Sequence, residues 1–158
     1  MRPPVLLIAL ASLASGLAGC GYGLVRPDAV AVPTVGVIQD LSADGELGLV
    51  AAARLRQRGE GHPPAPGLLE GRVTVGPERT LGRDAAGLSA LYQADVALDL
   101  EVASAGEARW RARTQASATW VRGSDPLATT TARQLALADA TAAAVDAAWD
   151  RFVAGSTP

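Results

Sequence analysis

The sequence predicts an α+β fold: a two-layer sandwich, ordered β-α-β-β-β-α, in which two helices cover one face of a four-stranded mixed sheet. Apolar and polar residues alternate over Tyr92–Val102 and again over residues 108–120, which indicates two half-buried strands. Apolar residues recur at helical spacing near residue 50 and after residue 132. Because each alternating segment has one apolar face, we expect both helices to pack on that face.

The first half of the chain predicts a strand, a helix and a second strand. β-branched residues favour a strand over Ala29–Ile38, and Pro33 indicates an edge position or a bulge there. The helical pattern covers residues 43–58 and a stiff proline-rich turn follows it. The second strand is predicted at residues 68–75, parallel to the first if the two are adjacent, and residues 76–88 are predicted to be a loop.

The two alternating segments predict an antiparallel hairpin. Ser104–Gly106 reads as a three-residue loop with glycine at the left-handed position. This loop length brings the apolar faces together and opposes acidic residues to basic ones. The resulting register pairs Leu100 with Trp110, Glu101 with Arg109, Asp99 with Arg111 and Ala97 with Arg113.

The last predicted helix covers residues 126–154. Ser124–Pro126 is typical of a helix start, although the weak helix propensity of the following threonines places a second possible start near Ala132. The three tryptophans, Trp110, Trp120 and Trp149, lie in phase with apolar faces and are expected in the core.

The one suggestive cluster of functional groups is a ladder of arginines on the second hairpin strand. Arg109, Arg111 and Arg113 alternate along that strand, so their side chains share one face about 7 Å apart. Guanidinium groups in this arrangement suit the phosphates of a glycolipid head group. The alternative is a solvated face neutralised by acidic residues of the neighbouring strand, with Arg113 left without an acidic partner.

Other residues give no catalytic pattern. The carboxylates of Asp95, Asp99 and Glu101 are expected to pair with arginines across the hairpin, and His62 is expected to be a solvated loop residue. We therefore expect no enzyme, no metal site and no cofactor beyond a covalent lipid. The charge balance, 14 basic against 16 acidic residues, does not favour a nucleic-acid partner.

The N-terminus predicts export and lipid attachment. An uncharged apolar run, Val5–Leu17, follows Arg2 and ends in the sequence Leu17–Cys20, which matches the lipobox of bacterial lipoproteins. Residues 1–19 are therefore expected to be a signal peptide, and Cys20 is expected to carry an N-acyl diacylglycerol that anchors the protein in a membrane. Residues 20–28 would form the tether, and residues 29–155 a single domain.

Several short motifs, in order along the chain, resemble the lipopolysaccharide-assembly lipoprotein (LptE) family, which plugs the outer-membrane lipopolysaccharide transport barrel. They are Cys20–Leu24, Thr34–Val37, Ala53–Gly59, Leu69–Val73, the Tyr92–Val102 hairpin strand followed by Trp110, and the alanine-rich last helix. The resemblance implies a lipid-anchored protein on the periplasmic side of the outer membrane. Its implied partners are lipopolysaccharide and a β-barrel transporter.

Two other functions are considered beside this one. An accessory lipoprotein of a lipid-trafficking ABC transport system would show the same lipid cysteine followed by a strand-helix-strand order. An enzyme acting on envelope glycans would need two carboxylates facing a cleft, whereas the sequence predicts paired carboxylates on an exposed strand face.

Overall fold

A computed structural model describes residues 30–42, 46–104 and 107–155. The predicted signal peptide, Cys20 and the predicted tether lie outside the described residues. The chain forms an α+β fold with two helices and a five-stranded mixed sheet. Its elements are β1 (Val32–Asp40), α1 (Leu47–Gly59), β2 (Pro64–Val75), β3 (Arg79–Arg83), β4 (Ala90–Ser104), β5 (Glu107–Arg122) and α2 (Pro126–Gly155).

The long strand β4 organises the sheet. It pairs antiparallel with β5 over its whole length, from Ala90 to Ser104. Its other side is shared, because β2 pairs with the second half of β4 and β3 pairs with the first four residues. β1 lies beside β2 in parallel, as predicted, and its register is shifted directly after Pro33, in agreement with the predicted edge position or bulge.

The core lies between one face of the sheet and the two helices. From the sheet come alternate residues of β4, with Val96 and Leu98 fully buried, and Val73 of β2. Opposite them, α1 contributes Leu55 and α2 contributes Leu137, both with almost no exposed surface. Since these residues touch no water in the folded protein, their burial is the main favourable contribution to folding.

Of the three tryptophans predicted in the core, Trp120 and Trp149 are buried there and Trp110 is partly buried against it. Trp120 is 5% exposed and stacks on Tyr92 of the neighbouring strand, with ring centroids 6.2 Å apart. Trp149 of α2 is 7% exposed, and the ring of Trp110 meets the ring of Phe152 edge to face at 5.2 Å. The Trp110–Phe152 contact joins β5 to α2.

Both helix starts are stabilised by aspartates that the chain places just before them. The carboxylate of Asp40, at the end of β1, accepts a 2.6 Å hydrogen bond from the backbone N–H of Leu47. Asp125 accepts a 2.9 Å hydrogen bond from the N–H of Leu127, and α2 begins at Pro126 rather than near Ala132. The free energy gained when a carboxylate accepts a hydrogen bond from a first-turn N–H exceeds the cost of the low helix propensity of the threonines that follow.

The two helices are joined by one partly exposed ion cluster. Arg54 of α1 donates two hydrogen bonds to the carboxylate of Asp146 on α2, from Nε at 2.9 Å and from Nη2 at 2.7 Å. Arg58 donates a third from Nε at 2.8 Å. These guanidinium contacts hold the pKa of Asp146 below its ordinary value, with the hydrogen bond from Arg54 as the largest cause.

Two predictions for the middle of the chain were wrong: a strand was missed, and the start of another strand was placed too late. The segment predicted as a loop contains the strand β3, which gives the sheet five strands instead of four. Every residue of β3 is exposed, so no buried face marks it in the sequence. β2 begins at Pro64, inside the predicted turn, because Val32 and Pro33 of β1 pair with Pro64 and Ala65. The prolines are tolerated because Pro64 and Pro66 precede Leu68, where pairing with β4 begins, so this part of β2 has a described strand on one side only.

Candidate functional site on the open face of the sheet

The face of the sheet that points away from the helices carries most of the charged strand residues. Alternate residues of β2, β4 and β5 project from it, and with Val37 and Gln39 of β1 they line a concavity of about 720 Å³. We call this surface the open face. Its charged lining residues are Glu70, Arg72, Asp99, Glu101, Arg111 and Arg113.

Two cross-strand ion pairs link β4 to β5 on the open face. Arg111 holds Glu101 by two contacts, from Nε to Oε2 at 3.0 Å and from Nη2 to Oε1 at 3.1 Å. Arg113 meets Asp99 more loosely, with Nε 3.5 Å from Oδ1. The arginine side chains are 71% and 76% exposed, so water screens both pairs and each contributes little to stability.

The predicted partners of the arginines were displaced by two residues. Glu101 opposes Arg111 instead of Arg109, and Asp99 opposes Arg113 instead of Arg111. The prediction that Arg113 lacks an acidic partner was therefore wrong. The displacement has two causes: only residues 105 and 106 separate β4 from β5, and the register then shifts between Val102 and Ala103.

Arg109 occupies the position at which the register shifts. Trp110 pairs with Val102 and Ala108 pairs with Ala103, so the strand pairing passes over Arg109. Its side chain is outside what the structure describes. The open face therefore brings together two of the three predicted arginines, Arg111 and Arg113, and the predicted role of Arg109 stays a prediction.

The structure adds a third arginine that the ladder hypothesis missed. Arg72 of β2 lies opposite Asp99, so this one carboxylate lies between the arginines of two neighbouring strands. Two residues further along the same two strands, Glu70 lies opposite Glu101, and Glu101 forms an ion pair with Arg111. The alternation of β2 already placed Glu70 and Arg72 on one face. Only the strand order showed that this face continues into the hairpin.

Beyond these rows, the open face continues with a smaller polar group. Asp95 accepts a 2.8 Å contact from Arg79 of β3 and a 2.7 Å hydrogen bond from the hydroxyl of Ser117. The predicted pairing of Asp95 with an arginine thus exists, but the arginine comes from the strand that the sequence did not reveal. Leu91 and Val121, opposite each other and both exposed, end the face at this side.

His62 is not the solvated residue that the sequence predicted. It is half-buried, and its ring meets the ring of Trp149 edge to face at 5.4 Å. Its Nδ1 lies 3.2 Å from the carbonyl oxygen of Val30. The proline-rich segment around it packs on the domain because β2 begins there, so His62 acts as a packing residue between the start of β1 and α2.

Within the described ranges, no three or more histidine, cysteine, aspartate or glutamate side chains come together as a set able to hold a metal ion. Of the helices in that part of the chain, none combines the length and the apolar character needed to cross a membrane.

Three comparisons with known proteins were made. No protein-family model matches the sequence, and no curated protein matches it. Among solved structures, the chain is similar to a protein assigned as a lipoprotein from Caulobacter crescentus CB15, with 22% identity, a TM-score of 0.48, and coverage of 77% of this chain and 93% of that one.

Two further structures are similar in the same way. The rare lipoprotein B from Shewanella oneidensis is 17% identical, with a TM-score of 0.48 and coverage of 77% of this chain and 95% of that one. A minor lipoprotein from Acinetobacter baumannii is 12% identical, with a TM-score of 0.38 and coverage of 80% and 91%.

Proposed function

We propose that this protein is a lipoprotein of the bacterial outer membrane that assists lipopolysaccharide transport or assembly by docking in a β-barrel transporter. The anchor would be an N-acyl diacylglycerol on Cys20, which the lipobox Leu17–Cys20 predicts. The observation that carries the proposal in the folded domain is the open face, a polar sheet surface with outward arginines that neither of the described helices covers. The resemblance of the ordered sequence motifs supports the same reading.

The open face has the chemistry that docking inside a barrel requires. The interior of an outer-membrane barrel is polar, and the open face offers three positive and three negative side chains at the same levels of neighbouring strands. Such a surface would form polar contacts and charge pairs with a lumen wall, since it carries equal numbers of positive and negative side chains. The opposite, apolar face of the sheet is already covered by α1 and α2, which leaves the open face as the uncovered side of the described sheet.

Arg111 and Arg113 are the residues we propose for contact with lipid phosphate. Both side chains are more than two-thirds exposed, and their pairs with Glu101 and Asp99 are weak enough for a phosphate group to compete with the carboxylates. Because Nε of Arg113 lies 3.5 Å from Asp99, Arg113 is the easier of the two arginines to separate from its carboxylate. Arg109 would extend this contact toward the start of β5. The protein would act by binding and positioning, not by turnover.

Recovery of the native complex tests the docking proposal. The affinity-tagged protein, extracted in gentle detergent, should bring down a large outer-membrane β-barrel protein, and the Cys20→Ala variant should recover less of it because the anchor is missing. Recovery of a permease with a substrate-binding protein would instead favour the accessory role in an ABC transport system. Recovery of neither would contradict both functions.

A separate measurement tests the arginines. The double variant Arg111→Ala/Arg113→Ala should bind purified lipopolysaccharide about tenfold more weakly, the loss expected from two charge-assisted contacts of about 0.7 kcal/mol each. Arg56→Ala/Arg122→Ala is the matched control, because it also removes two positive charges and both arginines are exposed and outside the lining of the open face. An equal loss of binding in both variants would show that net charge matters and the open face does not.

A further inference from the structure

The outer edge of β5 presents backbone hydrogen-bonding groups that no strand pairs in the described part of the chain. The carbonyl of Asp95 accepts a 2.8 Å hydrogen bond from the N–H of Gly76, which shows that odd-numbered residues of β4 direct their backbone groups toward β2. Even-numbered residues of β4 therefore direct their backbone groups toward β5, where Leu98, for example, pairs with Thr114. It follows that odd-numbered residues of β5, over 111–121, direct their N–H and C=O groups outward.

A side chain of α2 confirms this direction. Arg151 donates a 2.6 Å hydrogen bond from Nη1 to the carbonyl oxygen of Arg113, which it reaches from outside the sheet. That contact covers one carbonyl of the edge. The structure gives no partner to the outward backbone groups of Gln115, Ser117 and Thr119 among the described residues.

The charges of the open face are arranged as rows that stop at this edge. One row runs from Arg72 through Asp99 to Arg113, and the next runs from Glu70 through Glu101 to Arg111. Each row ends on an arginine of β5, with a carboxylate on the inner side and no further strand of the described residues on the outer side. A further strand with carboxylates at alternate positions would place an opposite charge beside each of these arginines.

A shallow groove on the helix side of the same edge can receive the other face of an added strand. It has a volume of about 530 Å³ and separates the second half of β5 from α2. Its walls are mostly small, with alanines such as Ala116 and Ala136, and Leu135 at its border is 62% exposed. A strand paired with β5 would direct alternate side chains into this groove.

We propose that the outer edge of β5 binds an extended, acidic segment of a partner protein as a sixth strand of the sheet. The outward backbone groups would supply hydrogen bonds, the arginines would select carboxylates, and the groove would accept small apolar side chains. The charge pattern favours a foreign acidic segment over a second copy of this chain, because a second β5 offers arginines to the same positions. This interaction goes beyond the proposed function: it shares Arg111 and Arg113 with that function and adds the backbone edge of β5, which the proposed function leaves unoccupied.

Peptide binding to the detergent-solubilised, full-length protein tests the selection of carboxylates. The probe is a fluorescein-labelled peptide of about ten residues, in which valine alternates with threonine in the first half and with glutamate in the second. The control peptide has lysine in place of glutamate. By fluorescence anisotropy the glutamate peptide should bind about tenfold more tightly, as two cross-strand charge pairs imply. Equal affinities, or no binding of the glutamate peptide, would overturn the proposal.

Variants of one edge residue test the backbone pairing. Gln115→Pro removes an outward N–H and leaves the hydrogen bonds to β4 in place, so peptide binding should fall at least about tenfold. Gln115→Ala keeps the N–H and should bind within about twofold of the wild type. If Gln115→Pro does not fold, as judged by circular dichroism, Leu135→Ser carries the test, and its loss of apolar contact should weaken binding about threefold.

Three outcomes would count against this edge as the site. Gln115→Pro or Leu135→Ser could bind the peptide as the wild type does, which would overturn the pairing. Sedimentation could show a dimer that Gln115→Pro dissociates, which would assign the edge to a second copy. Gln115→Pro could also lose lipopolysaccharide binding to the same degree, which would show a general defect. The proposal requires lipopolysaccharide binding by Gln115→Pro to stay unchanged, so a failure of the strand pairing can be told apart from a failure of the proposed function.

Discussion

Gly48 is the position where one added methyl group should disturb the packing of α1 most. A Cβ atom built there would lie 2.3 Å from the carbonyl oxygen of Ile38 and 3.2 Å from the backbone nitrogen of Asp40. Cβ contacts under 3.0 Å essentially do not occur in proteins, and here the neighbour is backbone, so α1 must move away from β1 by about 1 Å. Overpacking of this kind costs up to about 3 kcal/mol.

The helix propensity of alanine works in the opposite direction. Alanine is favoured over glycine inside a helix by about 1 kcal/mol, so Gly48→Ala should lower the free energy of unfolding by about 2 kcal/mol. For a domain of this size that loss lowers the Tm by roughly 8 °C. The measurement is urea unfolding, followed by circular dichroism, of a soluble form that begins at Gly21.

Gly59→Ala, at the end of the same helix, is the matched control. Its Cβ would lie at an ordinary 3.4 Å from the Cγ1 of Val32, so the free energy of unfolding should stay within about 0.5 kcal/mol of the wild type. If Gly48→Ala proves as stable as Gly59→Ala, the close approach of α1 to β1 is not a constraint and the reasoning is refuted.

Three further predictions concern hydrogen bonds inside the domain. Asp146→Asn should lower the free energy of unfolding at neutral pH by about 1 kcal/mol, because Arg54 and Arg58 both lose a charged acceptor; chemical denaturation measures it. Since the folded-state pKa of Asp146 is lowered, its contribution is present above the unfolded pKa of about 3.9 and disappears as the pH falls through the folded value. The difference between wild type and Asp146→Asn should therefore shrink in acid, and a constant difference would contradict this. Thr114→Val should cost about 1 kcal/mol, because its buried hydroxyl donates a 2.8 Å hydrogen bond to the carbonyl of Ala144; a melting curve unchanged from wild type would contradict it.

The elements with one buried face could be predicted from the sequence. α2 was expected at 126–154 and lies at Pro126–Gly155, and the alternation of β4 and β5 placed Trp120 on the buried side. β3 was missed because all five of its residues are exposed, and a strand without a buried face leaves no periodic signal. The start of β2 was missed because proline and glycine usually end strands, whereas pairing with β1 overrides that preference here.

The candidate site was predicted as a set of residues and not as a set of contacts. Arg111 and Arg113 were expected on an exposed face, and they lie there. Arg72 was not included, because only the pairing of β2 with β4 brings it beside Asp99. Contacts between residues far apart in the chain depend on strand order, which no local pattern encodes.

Alternation along the chain determined by itself which side of the sheet each hairpin residue occupies. Tertiary structure decided which charges meet, through a two-residue connection and the register shift at Val102/Ala103 that together move Glu101 from Arg109 to Arg111. The physical reason is the period of the strand: a slip of two residues leaves every side chain on its original face. The apolar pattern is then equally satisfied in both registers, and the geometry of the turn and the shift selects one of them.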